Sequence, residues 1–248
     1  MSGYGIFSDF YDSLTLNVDY GAMWDFYRSL LTQNGVSDGI VLDLACGTGS
    51  LSCLMAKSGY DVIAVDGSVE MLSKAREKMW EEGIDGILFL CQDMRSIDLY
   101  GTVKGTVCAL DSLNHLDSIE DVEKVIEKVS LFTEQGGVFA FDVNTVYKHK
   151  EVLCNNTFVY ETDDVYCVWQ NELHEDGCTV NIDLDFFEYA DGLYERREES
   201  FSEKAYELDA IRGILNKYDF EVKGVFDGFS LSPVTPTSQR AVFTAVKK

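Results

Sequence analysis

Val41-Leu42-Asp43-Leu44-Ala45-Cys46-Gly47-Thr48-Gly49-Ser50 decides the fold. Gly39 precedes Ile40–Leu44, a short apolar run with a β-branched start, which has the length and composition of a buried parallel strand. Gly47 and Gly49 then let the backbone turn tightly and approach a ligand with no Cβ in the way. Leu51–Lys57 reads as the helix that this turn opens, and Gly59, able to take positive φ, ends it. A strand, a carboxylate and a glycine turn leading into a helix form the start of a βαβ unit.

Outward from that unit the alternation continues. Val62–Val65 is a second buried strand, and Ser68 caps a helix with Val69, Leu72, Ala75 and Met79 on one face. Ile87–Leu90 and Gly105–Leu110 read as the third and fourth strands. Ser118 with Asp121 resembles a capping box for a helix carrying Ile119, Val122, Val125, Ile126, Val129 and Phe132. Gly136-Gly137 is expected to end that helix before a fifth strand, Val138–Val143. This is an α/β pattern: a parallel sheet, helices on both faces, right-handed crossovers. The pattern then changes. Residues 165–174, 178–189 and 193–201 read as consecutive strands joined at Asp176-Gly177 and Asp191-Gly192, a strong hairpin signal. Val180, Ile182, Leu184 and Phe186 alternate with polar residues, and Phe186-Phe187 breaks the alternation, which predicts a bulge. A helix with Leu208, Ile211 and Leu215 and two strands near 220–229 and 240–246 follow. Residues 1–35 read as helical and rich in aromatics. The expectation is one domain over residues 1–248, with an antiparallel β lobe inserted at about 155–201.

Composition narrows the partners. The 248 residues include 20 basic and 43 acidic ones, a formal net charge of −23. So negative a surface repels phosphate backbones and anionic membranes, which predicts no nucleic-acid partner and no membrane partner. Seven cysteines, an odd number, follow no disulfide or zinc spacing, so no metal is expected. Cys53, Cys91, Cys108 and Cys167 lie among apolar residues and read as small buried hydrophobes in a reducing compartment. No basic-then-apolar leader opens the sequence and no apolar run is long enough for a bilayer, so a cytoplasmic location is expected. Oligomeric state is not legible.

The chemistry sits in the opening turn and just after the second strand. A dinucleotide fingerprint needs a third glycine where this chain has Ser52, and Asp43 suits a pyrophosphate poorly. A carboxylate beside a glycine turn suits a cationic ligand, and S-adenosylmethionine carries an ammonium and a sulfonium but no phosphate. Asp66, at the carboxyl end of the second strand, can accept from both hydroxyls of a ribose. Taken singly these features are bland: any α/β protein has glycine turns after strands, and a lone acid there is equally a loop carboxylate or a helix cap.

VLDLACGTGS at 41–50, AVDGSVEML at 64–72 and GGVFAFDVN at 136–144 resemble class I S-adenosylmethionine-dependent methyltransferases. More narrowly, FYDSLTLNVDY at 10–20, CALDSLNHL at 108–116 and the lobe resemble a group of small bacterial methyltransferases, and the pattern is similar to glycine and amino-sugar N-methyltransferases. The resemblance implies a Rossmann-like seven-stranded sheet with its last strand antiparallel, and S-adenosyl-L-methionine as cofactor. It implies that Asp43, Ala45, Gly47 and Gly49 hold the methionine part and Asp66 the ribose. Cys91, Gln92, Asp93 and Met94 would flank the adenine, with Asp93 accepting from its amine, and Leu110 would lie near the cofactor. Ala45 stands where the family more often has glycine. Acceptor-facing groups would follow the fourth and fifth strands: Asp111, Asn114, His115, Asp142 and Asn144. His115 is the candidate base, its bland alternative being a cap of the next helix. Tyr11 and Tyr20 would cover the methyl group, or else pack in the core. His149 and His174 read as surface residues, and Arg196-Arg197 as a solvated strand end or an acceptor contact. The implied activity is methyl transfer to a nitrogen or oxygen of a small molecule. The rival readings are a non-catalytic S-adenosylmethionine-binding or regulatory protein and an NAD-dependent oxidoreductase.

Overall fold

The apolar run of β1 (Gly39–Leu44) is buried from Val41 onward, as a strand covered on both faces requires. The computed structural model describes residues 18–162, 165–190 and 192–248. Parallel pairing sets β1 beside β2 (Tyr60–Asp66) and β2 beside β3 (Ile87–Cys91), so that Asp66 lies opposite Cys91. On its other edge β1 pairs with β4 (Val103–Cys108), and β4 with β5 (Thr133–Asn144). Then β11 (Arg240–Lys247) runs antiparallel to β5, and β10 (Phe220–Asp227) antiparallel to β11. The order β10-β11-β5-β4-β1-β2-β3 is a Rossmann-like seven-stranded sheet in which β11 alone is reversed.

The two faces of this sheet are chemically distinct. One face carries Leu42, Leu44, Phe139, Phe141 and Phe243 against α4 (Ile119–Phe132) and α5 (Leu208–Lys217). The Phe141 and Phe243 rings stack there at 5.0 Å. Each such side chain contributes about 1.5–3 kcal/mol when removed from water. The other face carries Val41, Val62, Ala64 and Val138 against α1 (Tyr20–Gln33), α2 (Ser50–Lys57) and α3 (Val69–Glu81). The expected caps are in place: Ser68 Oγ accepts from Met71 N at 3.1 Å and Ser118 Oγ from Asp121 N at 3.2 Å. Gly136-Gly137 does not end α4, however. The helix stops at Phe132, and both glycines lie inside β5, where the register with β4 shifts.

Between β5 and α5 the chain builds a second sheet from β6 (Thr157–Glu161), β7 (Val165–Leu173), β8 (Thr179–Ala190) and β9 (Leu193–Lys204), all antiparallel in that order. Val180, Ile182, Leu184 and Phe186 form its inner face with Cys167. Asp176 shapes the first turn by accepting from Cys178 N and Thr179 N, both at 2.8 Å. Asp191 and the N-terminal aromatics through Tyr11 lie outside the described residues. Strand β6 has no counterpart in the sequence reading. Its Thr-Phe-Val-Tyr-Glu carries apolar groups on both faces, as an edge strand can, so no alternation marks it. The expected bulge at Phe186-Phe187 is absent: pairing to β7 and β9 is continuous, and Phe187 packs on Tyr166 on the opposite face from buried Phe186. Among the described residues no helix is long and apolar enough to cross a membrane.

Candidate active site

At the carboxyl end of β1, Ala45, Gly47 and Gly49 all take left-handed φ angles, of +60°, +53° and +74°. Cys46 N donates to Val65 O at 2.9 Å and Gly49 N to Cys46 O at 3.0 Å, which folds the turn over the ends of β1 and β2. A Cβ on Gly49 would stand 2.8 Å from Ala75 Cβ, so α3 packs against bare backbone. A Cβ on Gly47 would meet nothing within 4 Å, because Gly47 borders a cleft. Tyr20, Met23, Asp43, Ala45, Gly47, Thr48, Leu110 and Ser112 line that cleft.

Two carboxylates set its electrostatics. Asp43 is 2% exposed and accepts from Ser52 Oγ at 2.5 Å, so the residue replacing the third glycine of a dinucleotide fingerprint holds the acid beside the turn. Burial pushes the Asp43 carboxyl up to about 7, opposed by the Ser52 hydrogen bond and reinforced by the nearby Asp66. Asp66 receives Gly47 N on Oδ2 and Ser68 N on Oδ1, both at 2.8 Å. Burial raises its carboxyl, and those backbone donors oppose the rise.

After β3, Gln92 N donates to Asp66 O at 3.0 Å, joining the two loops. The Gln92 side chain clamps Asp98, accepting from its N–H at 2.9 Å and donating to its carbonyl at 3.1 Å. Asp93 caps the 3-10 turn Met94–Ser96 and pairs with Arg95 at 2.5 Å, and that guanidinium holds its carboxyl below the usual range. Both Asp93 oxygens thus already accept from Arg95.

The far side of the cleft hangs on Asp142, fully buried at the end of β5. Its Oδ1 accepts from Tyr27 OH at 2.5 Å and Leu110 N at 2.8 Å; its Oδ2 accepts from Asp111 N at 2.9 Å and from Arg240. Leu110 and Asp111 are consecutive left-handed residues, φ +55° and +50°, and Asp142 holds both of their N–H groups. Arg240 also pairs with Asp111 at 2.7 Å. Burial pushes the Asp111 carboxyl up, but Arg240, Lys148 and His115 outweigh it and hold the group below the usual range. Asn144 Nδ2 donates to Asp111 at 2.9 Å and to Glu203 of β9 at 3.0 Å. Asn114 ties Asn144 O and Lys204 O together, seating β9 on the end of β5. His115 ends the 3-10 turn Ser112–His115 with its ring 5.4 Å from that of Phe201 and a ring nitrogen within 4.8 Å of the Asp111 and Glu203 carboxylates.

Of the residues anticipated from sequence, Asp43, Ala45, Gly47, Leu110 and Tyr20 line the cleft, with Gly49 and Asp66 bracing its turn. Asp111, Asn114, Asp142 and Asn144 form one hydrogen-bonded network, and a ring nitrogen of His115 lies within 4.8 Å of the Asp111 carboxylate. His149 is a correction: it is fully buried, with Nδ1 2.7 Å from Cys178 O, because the π-helical turn Lys148–Leu153 faces the second sheet. His174 is exposed as expected, whereas Cys91 is exposed rather than buried. Arg196 and Arg197 pair with acids of their own sheet, Asp185 at 2.7 Å and Glu188 at 3.5 Å. Asp111, His115 and Glu203 bring ligand-type atoms within 4.8 Å of one another, a grouping that no sequence spacing foretold. Sequence reasoning missed Tyr27, Arg240 and Glu203. Glu203 carried a signal, since it sits opposite Val180 on the inward face of β9, where an apolar residue is expected.

This arrangement can hold a cation beside Asp43 and Asp66, with open space at Gly47 for a ligand to approach the backbone, and S-adenosylmethionine fits that donor set. A family model described as a methyltransferase domain matches residues 41–137. YqeM of Bacillus subtilis (strain 168), assigned to the methyltransferases, is 31% identical over 97% of this chain and 96% of its own length. The crystal structure of an S-adenosylmethionine-dependent methyltransferase from Clostridium acetobutylicum ATCC 824 superposes with a TM-score of 0.89 at 32% identity, covering 98% of each chain. A glycine/sarcosine N-methyltransferase of Aphanothece halophytica is 27% identical over 79% of this chain and 71% of its own. A 23S rRNA (uracil-C5) methyltransferase of Shewanella sediminis matches only 59 residues, at 48% identity, 24% of this chain and 13% of its own. Agreement along nearly the full length of two such proteins, in sequence for both and in superposed backbone for the second, means that the chain belongs to the S-adenosylmethionine-dependent methyltransferases.

Proposed function

We propose that this methyltransferase acts on a small molecule with a nucleophilic nitrogen or oxygen, an amine by preference. The observation that carries the reading is an acidic wall beside the cleft-lining Leu110: Asp111 and Glu203, bridged by Asn144 and flanked by His115. Such a wall attracts an ammonium and repels a phosphate. Similarity to glycine/sarcosine N-methyltransferase points the same way. With 20 basic residues against 43 acidic, the chain offers little to track a nucleic-acid backbone. The second sheet is read as a lobe of the same domain that covers the acceptor. The free cysteines agree with a reducing, cytoplasmic setting.

Bound S-adenosylmethionine supplies the activated methyl carbon. The chain's own groups align the partners and exclude water. Asp43, Ala45, Gly47 and Gly49 hold the methionine part, and Asp66 the ribose hydroxyls. Gln92, Asp93 and Met94 border the adenine, Asp93 through the lone pairs that Arg95 leaves, and Leu110 packs beside the cofactor. His115 stands between the cofactor turn and the acidic wall and serves as base for the acceptor proton. Tyr20 covers the methyl group, as would Tyr11. An acceptor panel of glycine, sarcosine, amino sugars, phenols and RNA tests the reading, followed by S-adenosylhomocysteine formation. Amine turnover that is insensitive to salt is expected. Salt-sensitive methyl incorporation into RNA overturns it.

A further inference from the structure

Glu203 has only an electrostatic part in the reading above, and His149, buried behind it, has none. Glu203 is 4% exposed and His149 is fully buried. The His149 ring sits with Nδ1 2.7 Å from the carbonyl of Cys178. A carbonyl can only accept, so Nδ1 carries the hydrogen, and in the neutral ring Nε2 presents its lone pair. Among the described residues Nε2 has no hydrogen-bond partner, and it lies 3.7 Å from Glu203 Oε2. With the ring neutral and Glu203 ionised, two lone pairs face each other across a gap too wide for a hydrogen bond, a buried arrangement that costs free energy until a proton enters it. Glu203 accepts from the neutral amide of Asn144, while Arg240 is engaged by Asp111 and Asp142, and Lys148 by the Asn144 carbonyl. Asp111 and His115 complete the groups that face it, each with an atom within 4.8 Å.

We propose that Glu203 binds the ammonium of the acceptor and takes up its proton, with His149 behind it as the positioning residue that holds that proton. The inference rests on the reading that the acceptor is an amine. The step balances. R–NH3+ loses its first proton to Glu203 Oε2, leaving R–NH2 with a free electron pair for the methyl group, and the proton that the nitrogen sheds once methylated passes to His115. The Glu203 O–H so formed closes the gap and donates to His149 Nε2, a hydrogen bond that exists only in the protonated pair. Uptake of the proton thus relieves the unsatisfied nitrogen, and Asn144, which also donates to Asp111, holds the Glu203 carboxylate in place near His115.

The test uses full-length protein labelled with 15N-histidine, saturated with S-adenosylhomocysteine and titrated with methylammonium. Glu203→Gln keeps an acceptor for Asn144 but cannot ionise, and its melting temperature and S-adenosylhomocysteine affinity check that it folds. Methylammonium is expected to shift the His149 Nε2 resonance in the wild type and to bind about 10-fold or more tightly there than to E203Q. In His149→Gln, methylammonium binding is expected to survive while the pH profile of amine kcat/KM moves. Equal methylammonium affinity in wild type and E203Q, or an unmoved Nε2 signal, overturns the proposal. So does saturable Mn2+ binding that displaces methylammonium, which would make Asp111, His115 and Glu203 a metal site. The two readings fail separately. Methylammonium binding through Glu203 with no amine turned over refutes the amine reaction and leaves the binding carboxylate standing. Amine turnover with E203Q equal to wild type does the reverse.

Discussion

Ala45 adopts a φ of +60° with a Cβ, in the left-handed region where an L side chain crowds the following carbonyl. Glycine, the residue more often found there in the family, removes that crowding at the cost of a freer unfolded chain. Ala45→Gly is therefore expected to stabilise the apoprotein by about 0.5–1 kcal/mol, read from the urea midpoint. Asp43 makes a second residue-scale prediction. Its folded pKa of about 7 lies above its value in the unfolded chain, so the folded state binds more protons between. Its contribution to stability is full at low pH and is lost as pH rises through about 7, and Asp43→Asn should flatten that slope in urea melts at pH 5 and 8. An ammonium placed beside it favours the carboxylate, so cofactor binding near pH 6 should release protons. Calorimetry in buffers of different ionisation enthalpy measures that release, and none is expected from the Asn variant. Asp66→Ala should weaken S-adenosylhomocysteine by about 1.5–3 kcal/mol if a charge-assisted ribose contact is lost.

At the scale of elements, Asp142 is the clamp of the β4 end, since one buried carboxylate satisfies Leu110 N, Asp111 N, Tyr27 OH and Arg240. Two consecutive left-handed residues persist only where their surroundings over-determine them. Asp142→Ala should cost about 1–3 kcal/mol, because it leaves the N–H groups of the turn and the Tyr27 hydroxyl without their acceptor, while Arg240 keeps Asp111. A denaturant midpoint close to wild type would show that Arg240 and Asp111 hold the turn alone. Elements of this kind divide cleanly in what the sequence disclosed. The β1 strand, its glycine turn, and the caps at Ser68 and Ser118 were legible because local chemistry fixes them. The end of α4 was misplaced because Thr133 begins β5 by pairing with Val103, a contact no local signal carries, while Gly136-Gly137 looked like a stop. Strand β6 was missed because exposed Val159 between Phe158 and Tyr160 hides from the sequence an alternation that its burial does show. The acidic wall was half legible. Asp111, His115 and Asn144 follow strands that could be read, whereas Glu203, His149 and Arg240 come from strands and turns whose register brings them in from far along the chain.

For the whole molecule, a formal charge of −23 means self-repulsion in the folded state. Raising sodium chloride from about 0.02 M to about 0.15 M should therefore raise the melting temperature, since screening shortens to about 8 Å over that range. The same range should leave amine turnover nearly unchanged. The sheet order has a further consequence. Strand β11 follows β10 in the chain yet lies between β10 and β5, and it brings Arg240. During synthesis the chain emerges from its N-terminal end, so every residue of the cofactor turn is available while the β5 edge still waits for its neighbour. A nascent polypeptide arrested before residue 240 could gather the residues for the donor but would leave Asp111 and Asp142 facing each other without their guanidinium. Position in the sheet thus acts as a timer on the ribosome: the ion pairs of Asp111 and Asp142 close only after the strand that carries Arg240 has been made.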